Sequence, residues 1–257
     1  MTIKLGPAGL GPVKEAVERL EKYHNLGFKA CEIAFTYSVY IKKDEDIKMI
    51  REAAEKFDIS LSIHAPYFVN LNSKEPEKIE NSKKRILSCC EVGEKLGCKV
   101  VVFHAGYYSG MEEEETYQNI KREIVDMMKV IKKKKWKIKI APETMGKVNV
   151  FGSFDQIYRL HKETGCSFCI DFAHILARDK KVNYDKIKEL FSEEKWHCHF
   201  TGIVYGEKGE KHHKKTEISD WEGLFKELPK DKDITIVNES PSMIEDCQEG
   251  LDILKGN

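Results

Sequence analysis

KVVVFHA, residues 99–105, is a short β-branched run that ends in a histidine. It is long enough for one buried strand and too short for a helix. Seven further runs of this kind occur along the chain: TIKLG (2–6), ACEIAF (30–35), ISLSIHA (59–65), KIKIAPE (137–143), SFCIDFA (167–173), HCHFTGI (197–203) and DITIVNE (233–239). Helical spacing fills the gaps, as in VKEAVERLEKYHNLG, DEDIKMIREAAEKFD and TYQNIKREIVDMMKVIKK. Gly27, Gly97 and Gly165 each follow a periodic run shortly before a strand, where a left-handed helix stop is expected. Eight strands, each followed by a helix, give the count of an α/β protein of the (β/α)8 TIM barrel class. An open doubly wound sheet more often carries G-x-G-x-x-G after its first strand, and GPAGLG imitates that only loosely.

Length and charge fit this reading. The chain has 257 residues and no Pro/Ser-rich linker, so one barrel domain over 1–257 is expected. Lys+Arg and Asp+Glu are equal at 43 each, so the overall charge points to neither a nucleic-acid nor a membrane partner; any polyanion has to be held locally. No apolar run approaches the roughly 18 residues of a spanning helix, and MTIKLGPAGLG lacks a long apolar leader, so a cytoplasmic location and no membrane partner are expected. The eight cysteines, Cys166 and Cys169 of the single C-x-x-C among them, read as small buried apolar residues.

In such barrels the chemistry collects at the C-terminal ends of the strands. The apolar runs end in His64, His104, Glu143, Asp171 (with His174 just beyond), His199 and Glu239, and His212 and His213 follow in the seventh βα loop. His24 and His161 lie inside helical runs and read as surface residues. Imidazoles and carboxylates without a placed cysteine suit Zn²⁺, Mn²⁺ or Fe²⁺, and there are more donors than one ion takes, so a metal cluster is expected. His197 shares a strand face with His199 and reads as an interior group.

The motifs SIHAPYFVNL (62–71), VVFHAG (101–106), PETMG (142–146), CIDFAH (169–174), HFTG (199–202), EKHH (210–213) and NES (238–240), in that order, resemble endonuclease IV, the zinc-dependent apurinic/apyrimidinic endonucleases. The resemblance implies three Zn²⁺ per chain, with Mn²⁺ as an alternative at one position, and hydrolysis of damaged double-stranded DNA 5′ to an abasic site. By that resemblance His64, His104 and Glu143 hold the first ion. Glu143, Asp171, His199 and Glu239 hold the second, and His174, Glu210 and His212 the third. Glu143 and Glu239 orient the attacking water, and Tyr67 and Phe68 wedge into the duplex. Apart from the resemblance, Lys208 and Lys211 with Lys214 and Lys215 read as a local positive loop beside the site, suited to phosphates, and His213 as a neighbour of the third-ion ligand or a phosphate contact. A monomer, nucleoid-associated when acting on DNA, is expected. The chain departs from the family pattern in having Glu210 where Asp is usual, Tyr40 where an arginine is usual, and no histidine in GPAGLG. A sugar isomerase or epimerase on the same barrel is the competing expectation, with one or two divalent ions and glutamates that move protons.

Overall fold

The computed structural model describes residues 2–256. The barrel strands are β1 (Thr2–Pro7), β2 (Ala30–Ala34), β3 (Ser60–His64), β4 (Val100–Phe103), β5 (Lys139–Pro142), β6 (Ile170–Asp171), β7 (Lys195–Phe200) and β8 (Asp233–Asn238). They pair in parallel as two runs of four, β1-β8-β7-β6 and β2-β3-β4-β5. A bridge between Glu143 and Cys169 joins β5 to β6. On the other side the Lys29 N–H donates to the Leu5 carbonyl at 3.0 Å. That second seam requires Gly6, because a Cβ there would lie 1.7 Å from the Ala30 carbonyl oxygen.

The helices are α1 (Ala16–Leu26), α2 (Asp44–Lys56), α3 (Pro76–Leu96), α4 (Glu113–Lys134), α5 (Phe154–Thr164), α6 (Phe172–Asp179), α7 (Tyr184–Leu190), α8 (Ile218–Glu227) and α9 (Met243–Gly256). Gly27, Gly97 and Gly165 end α1, α3 and α5 at φ of 89°, 76° and 75°, a conformation that costs glycine little. The helix α6 has no counterpart among the periodic runs of the sequence. It starts directly from β6, and the Asp171 carboxylate caps it by accepting the His174 N–H at 2.7 Å.

Strand alternation divides the side chains between two environments. Trp196 and Cys198 face the large core between sheet and helices. Val100, Val102, Ala141 and Cys169 form a separate small cluster inside the barrel. The inward positions of β5 therefore run Lys139, Ala141 and on to Glu143, and those of β7 run Lys195, His197, His199. All eight cysteines are free and buried.

Two antiparallel two-stranded ribbons stand on the C-terminal end of the barrel, the second of them a hairpin. One pairs Gly106–Tyr107 with Val150–Phe151, the other Gly202–Gly206 with Gly209–Lys214. The run expected as one strand over 197–203 thus breaks at Thr201, and His212 and His213 lie on a hairpin strand rather than in an irregular loop.

Candidate metal centre

Glu143 lies at the centre of the mouth, with no exposure to solvent. One carboxylate oxygen, Oε2, is 3.2 Å from His64 Nε2 and 3.1 Å from His104 Nε2. The other, Oε1, is 3.0 Å from His199 Nδ1 and 3.4 Å from His174 Nδ1. His64 and His199 stand at inward positions near the C-terminal ends of β3 and β7, His104 directly follows β4, and His174 comes from the first turn of α6.

Ligand atoms that approach to within 4.8 Å of one another fall into overlapping sets. His64, His104 and Glu143 form one, and Glu143, Asp171, His199 and Glu239 a second that shares Glu143. His174, Glu210 and His213 form a third. In that third set the Nε2 atoms of His174 and His213 face each other at 3.3 Å, with a Glu210 oxygen 3.5 Å from His174.

His212 is where the sequence-based assignment needs correction. Its side chain is exposed, and it is His213 that meets His174 and Glu210. The cause is a bulge in the hairpin between Val204 and Tyr205, which shifts the register so that His213 pairs with Ile203 and His212 with Val204. One residue of register exchanges the two faces of a strand.

The electrostatics fit cations. Burial pushes the Glu143 carboxyl up, but His199, His104 and His174 outweigh it and hold it well below the usual carboxylate range. Burial raises Asp171. Burial lowers the His174 imidazole, yet Asp171, Glu143 and Glu210 outweigh that and lift it to about 10. Burial wins at His104, which is lowered. Asp171 Oδ2 is buried without a hydrogen-bond partner among the described residues, with the His174 imidazole 3.4 Å away as its ion-pair partner in the metal-free protein. The donor chemistry and this buried oxygen both fit divalent ions of the zinc or manganese type.

Below the mouth lies a residue that motif reading missed. Glu32, fully buried on β2, accepts a hydrogen bond from Ser62 Oγ at 2.8 Å. Its oxygens lie 3.1 Å from His197 Nε2 and 3.0 Å from His199 Nε2. Burial pushes Glu32 up, and His199 and His197 outweigh it, so its carboxyl sits well below the usual range. A carboxylate supporting the far nitrogen of an imidazole fixes that ring's orientation. The available signal was the lone acid inside the apolar run ACEIAF.

The mouth opens into a cavity of about 490 Å³ lined by Tyr67, His104, Lys147, His174, His213 and Glu239, among others. Tyr67 is half-exposed, its ring 4.8 Å from that of His64. Phe68 faces a neighbouring cavity, where Arg85 stacks on it at 4.9 Å. Lys208 and Lys211 are exposed on the hairpin and lie outside the cavity lining, where Lys147 stands instead. Tyr40 donates to the Gly11 carbonyl at 3.1 Å. His161 is no free surface residue, since its ring lies 2.5 Å from Glu193 and 2.6 Å from the Cys166 carbonyl. Among the described residues no helix is long and apolar enough to cross a membrane.

Known proteins resemble the chain at several levels. An uncharacterised protein of Methanocaldococcus jannaschii is 37% identical over 245 residues, covering 89% of this chain and 87% of that one. A probable endonuclease 4 of Carboxydothermus hydrogenoformans is 29% identical over 150 residues, which is 56% of this chain but only 50% of that protein's length. Among solved structures, endonuclease IV from Thermus thermophilus superposes with a TM-score of 0.75 at 19% identity, covering 98% of both chains. D-psicose 3-epimerase from Clostridium cellulolyticum superposes at 0.72 and 14%, again covering 98% of both, so superposition alone speaks for the fold and not the reaction. The sequence profile of the xylose isomerase-like TIM barrels matches residues 20–256, and with the strand-end donors already described it places this chain in that family.

Proposed function

We propose that the protein is an endonuclease IV-like apurinic/apyrimidinic endonuclease that hydrolyses the DNA phosphodiester 5′ to an abasic site and leaves a 3′-hydroxyl. The observation that carries this reading is the third donor set, His174, Glu210 and His213, standing beside two sets that share Glu143. Three ions suit a phosphodiester, whose attacking, leaving and non-bridging oxygens all need charge stabilisation. Zinc, or manganese at one position, supplies that stabilisation as a Lewis acid when bound.

The chain's own groups do the rest. His64 and His104 hold one oxygen of Glu143, and His199 holds the other, so the carboxylate keeps one orientation. Glu239 is partly exposed at the rim, where its oxygen can accept a hydrogen bond from water and aim it at the phosphorus. Tyr67 and Phe68 offer exposed rings to a duplex opened at the lesion, and an unpaired site is the cheapest to extrude. Lys147, Lys208 and Lys211 provide cations for the flanking phosphates. In this reading the enzyme acts as a monomer in the cytoplasm, on nucleoid DNA.

A sugar epimerase is the second reading, because Glu143, Asp171, His199 and Glu239 form a complete four-donor set by themselves. It would need one or two ions and use Glu143 and Glu239 to carry protons. Metal counting and an incision assay on an oligonucleotide with one abasic analogue separate the two. Three ions per chain and a nick 5′ to the lesion, lost in a folded Glu143→Gln variant, are expected. One ion per chain and an intact oligonucleotide would overturn the nuclease.

A further inference from the structure

At the end of the barrel opposite the metal centre lies a second cavity, of about 410 Å³. Five lysines line it: Lys4, Lys99, Lys137, Lys139 and Lys195. They come from the starts of β1, β4, β5 and β7, so strand order rather than sequence proximity gathers them. Ser60, Ser167 and Thr235 add hydroxyls, and His197, its Nε2 taken up by Glu32, lies one inward position deeper than Lys195.

What sets these lysines apart is that they are gathered around one concavity. Lys29, Lys95 and Lys121 are held by Asp58, Asp44 and Glu163 at 2.8, 2.9 and 2.7 Å. Among the described residues none of the five has a carboxylate oxygen within 4.0 Å. The acids nearby are engaged: Asp233, which lines the cavity, accepts the Thr2 N–H at 3.1 Å, and Asp58 holds Lys29. Five cations therefore stand around one concavity whose lining holds a single carboxylate, Asp233. Their mutual repulsion is relieved only by solvent, salt or a bound anion.

We propose that this lysine-rimmed cavity binds a di- or triphosphate chain, either free or as the tail of a nucleotide. The volume lies within the usual range for small-molecule sites. A ring of ammonium groups on flexible stems matches the spread charge of several phosphates better than one bidentate anion. The proposal is independent of the reaction at the metal centre.

Calorimetric titration of the metal-loaded full chain with tripolyphosphate, ATP, AMP and orthophosphate tests it. Tripolyphosphate and ATP should bind one per chain with similar affinity, and AMP and orthophosphate at least about tenfold more weakly. Lys139→Gln with Lys195→Gln should cost at least about tenfold while metal content and circular dichroism stay unchanged, whereas the paired Arg replacements should retain binding. Chelation of metal at the opposite end would be indifferent to those lysines. Undiminished binding in the Gln pair therefore overturns the site, as does no binding at all. ATP binding without tripolyphosphate binding, or displacement of tripolyphosphate by undamaged duplex DNA at equal affinity, would overturn the assigned ligand class.

Discussion

Glu32 carries the support of the metal centre at the scale of a single residue. Its carboxylate lies between His197 and His199, so replacing it by glutamine keeps the shape and removes the charge that fixes the His199 ring. Glu32→Gln should lower metal affinity by about 10- to 100-fold, read by competition with a chromogenic chelator, while the far-ultraviolet spectrum stays that of the parent. Unchanged affinity would remove Glu32 from that role. His174 sets the pH response. Its imidazole is lifted to about 10, so in the metal-free protein it is protonated at neutral pH, and its contribution to stability is full below 6.5 and lost as the pH rises through about 10. A metal must displace that proton. Metal affinity should therefore climb with pH through the neutral range and level off only as the pH approaches about 10, with proton release on loading in weakly buffered solution.

At the scale of elements, the hairpin formed by Gly202–Gly206 and Gly209–Lys214 decides which histidine serves the mouth. His213→Ala should lower bound metal by about one ion per chain, whereas His212→Ala should leave metal content and activity at parent levels. Elemental analysis of the two variants checks this, and a metal deficit in His212→Ala would contradict the register. The seam between β1 and β2 gives a stability test. Gly6→Ala drives a methyl into the Ala30 carbonyl, so it should cost about 3 kcal/mol or more and lower the melting temperature by several degrees. Much at this scale was legible in the sequence. β-branched runs and glycine stops delimited the eight strands, and the polar residues closing those runs are the ones the mouth gathers. Two features were not legible. A β-bulge is a local choice between two registers of nearly equal composition, so neighbouring residues His212 and His213 could not be told apart. Glu32 sits in the middle of a strand, where it is recognisable only once the barrel shows which way each position faces.

For the whole molecule, the inward stripes of the strands separate charge along the barrel axis. On β5 the stripe leads from Lys139 to Glu143, and on β7 from Lys195 to His199, so a chain with no net charge has a lysine-rich end and an end of carboxylates and imidazoles. Divalent ions bound at the latter end would add positive charge there, which would favour a polyanion. The way Glu143 divides its two oxygens between imidazole partners has a consequence for that loading. His64 and His104 would give up their contacts with Glu143 to an ion, and an ion held there would fix anew the carboxylate plane that His199 and Asp171 need for the next. The first two ions should therefore enter cooperatively: the binding isotherm of the metal-free protein should be steeper than independent filling allows, and Glu143→Gln should flatten it to separate, weaker steps. Half-loaded molecules would then be scarce at any metal concentration, and the population would divide between empty barrels and barrels ready to act.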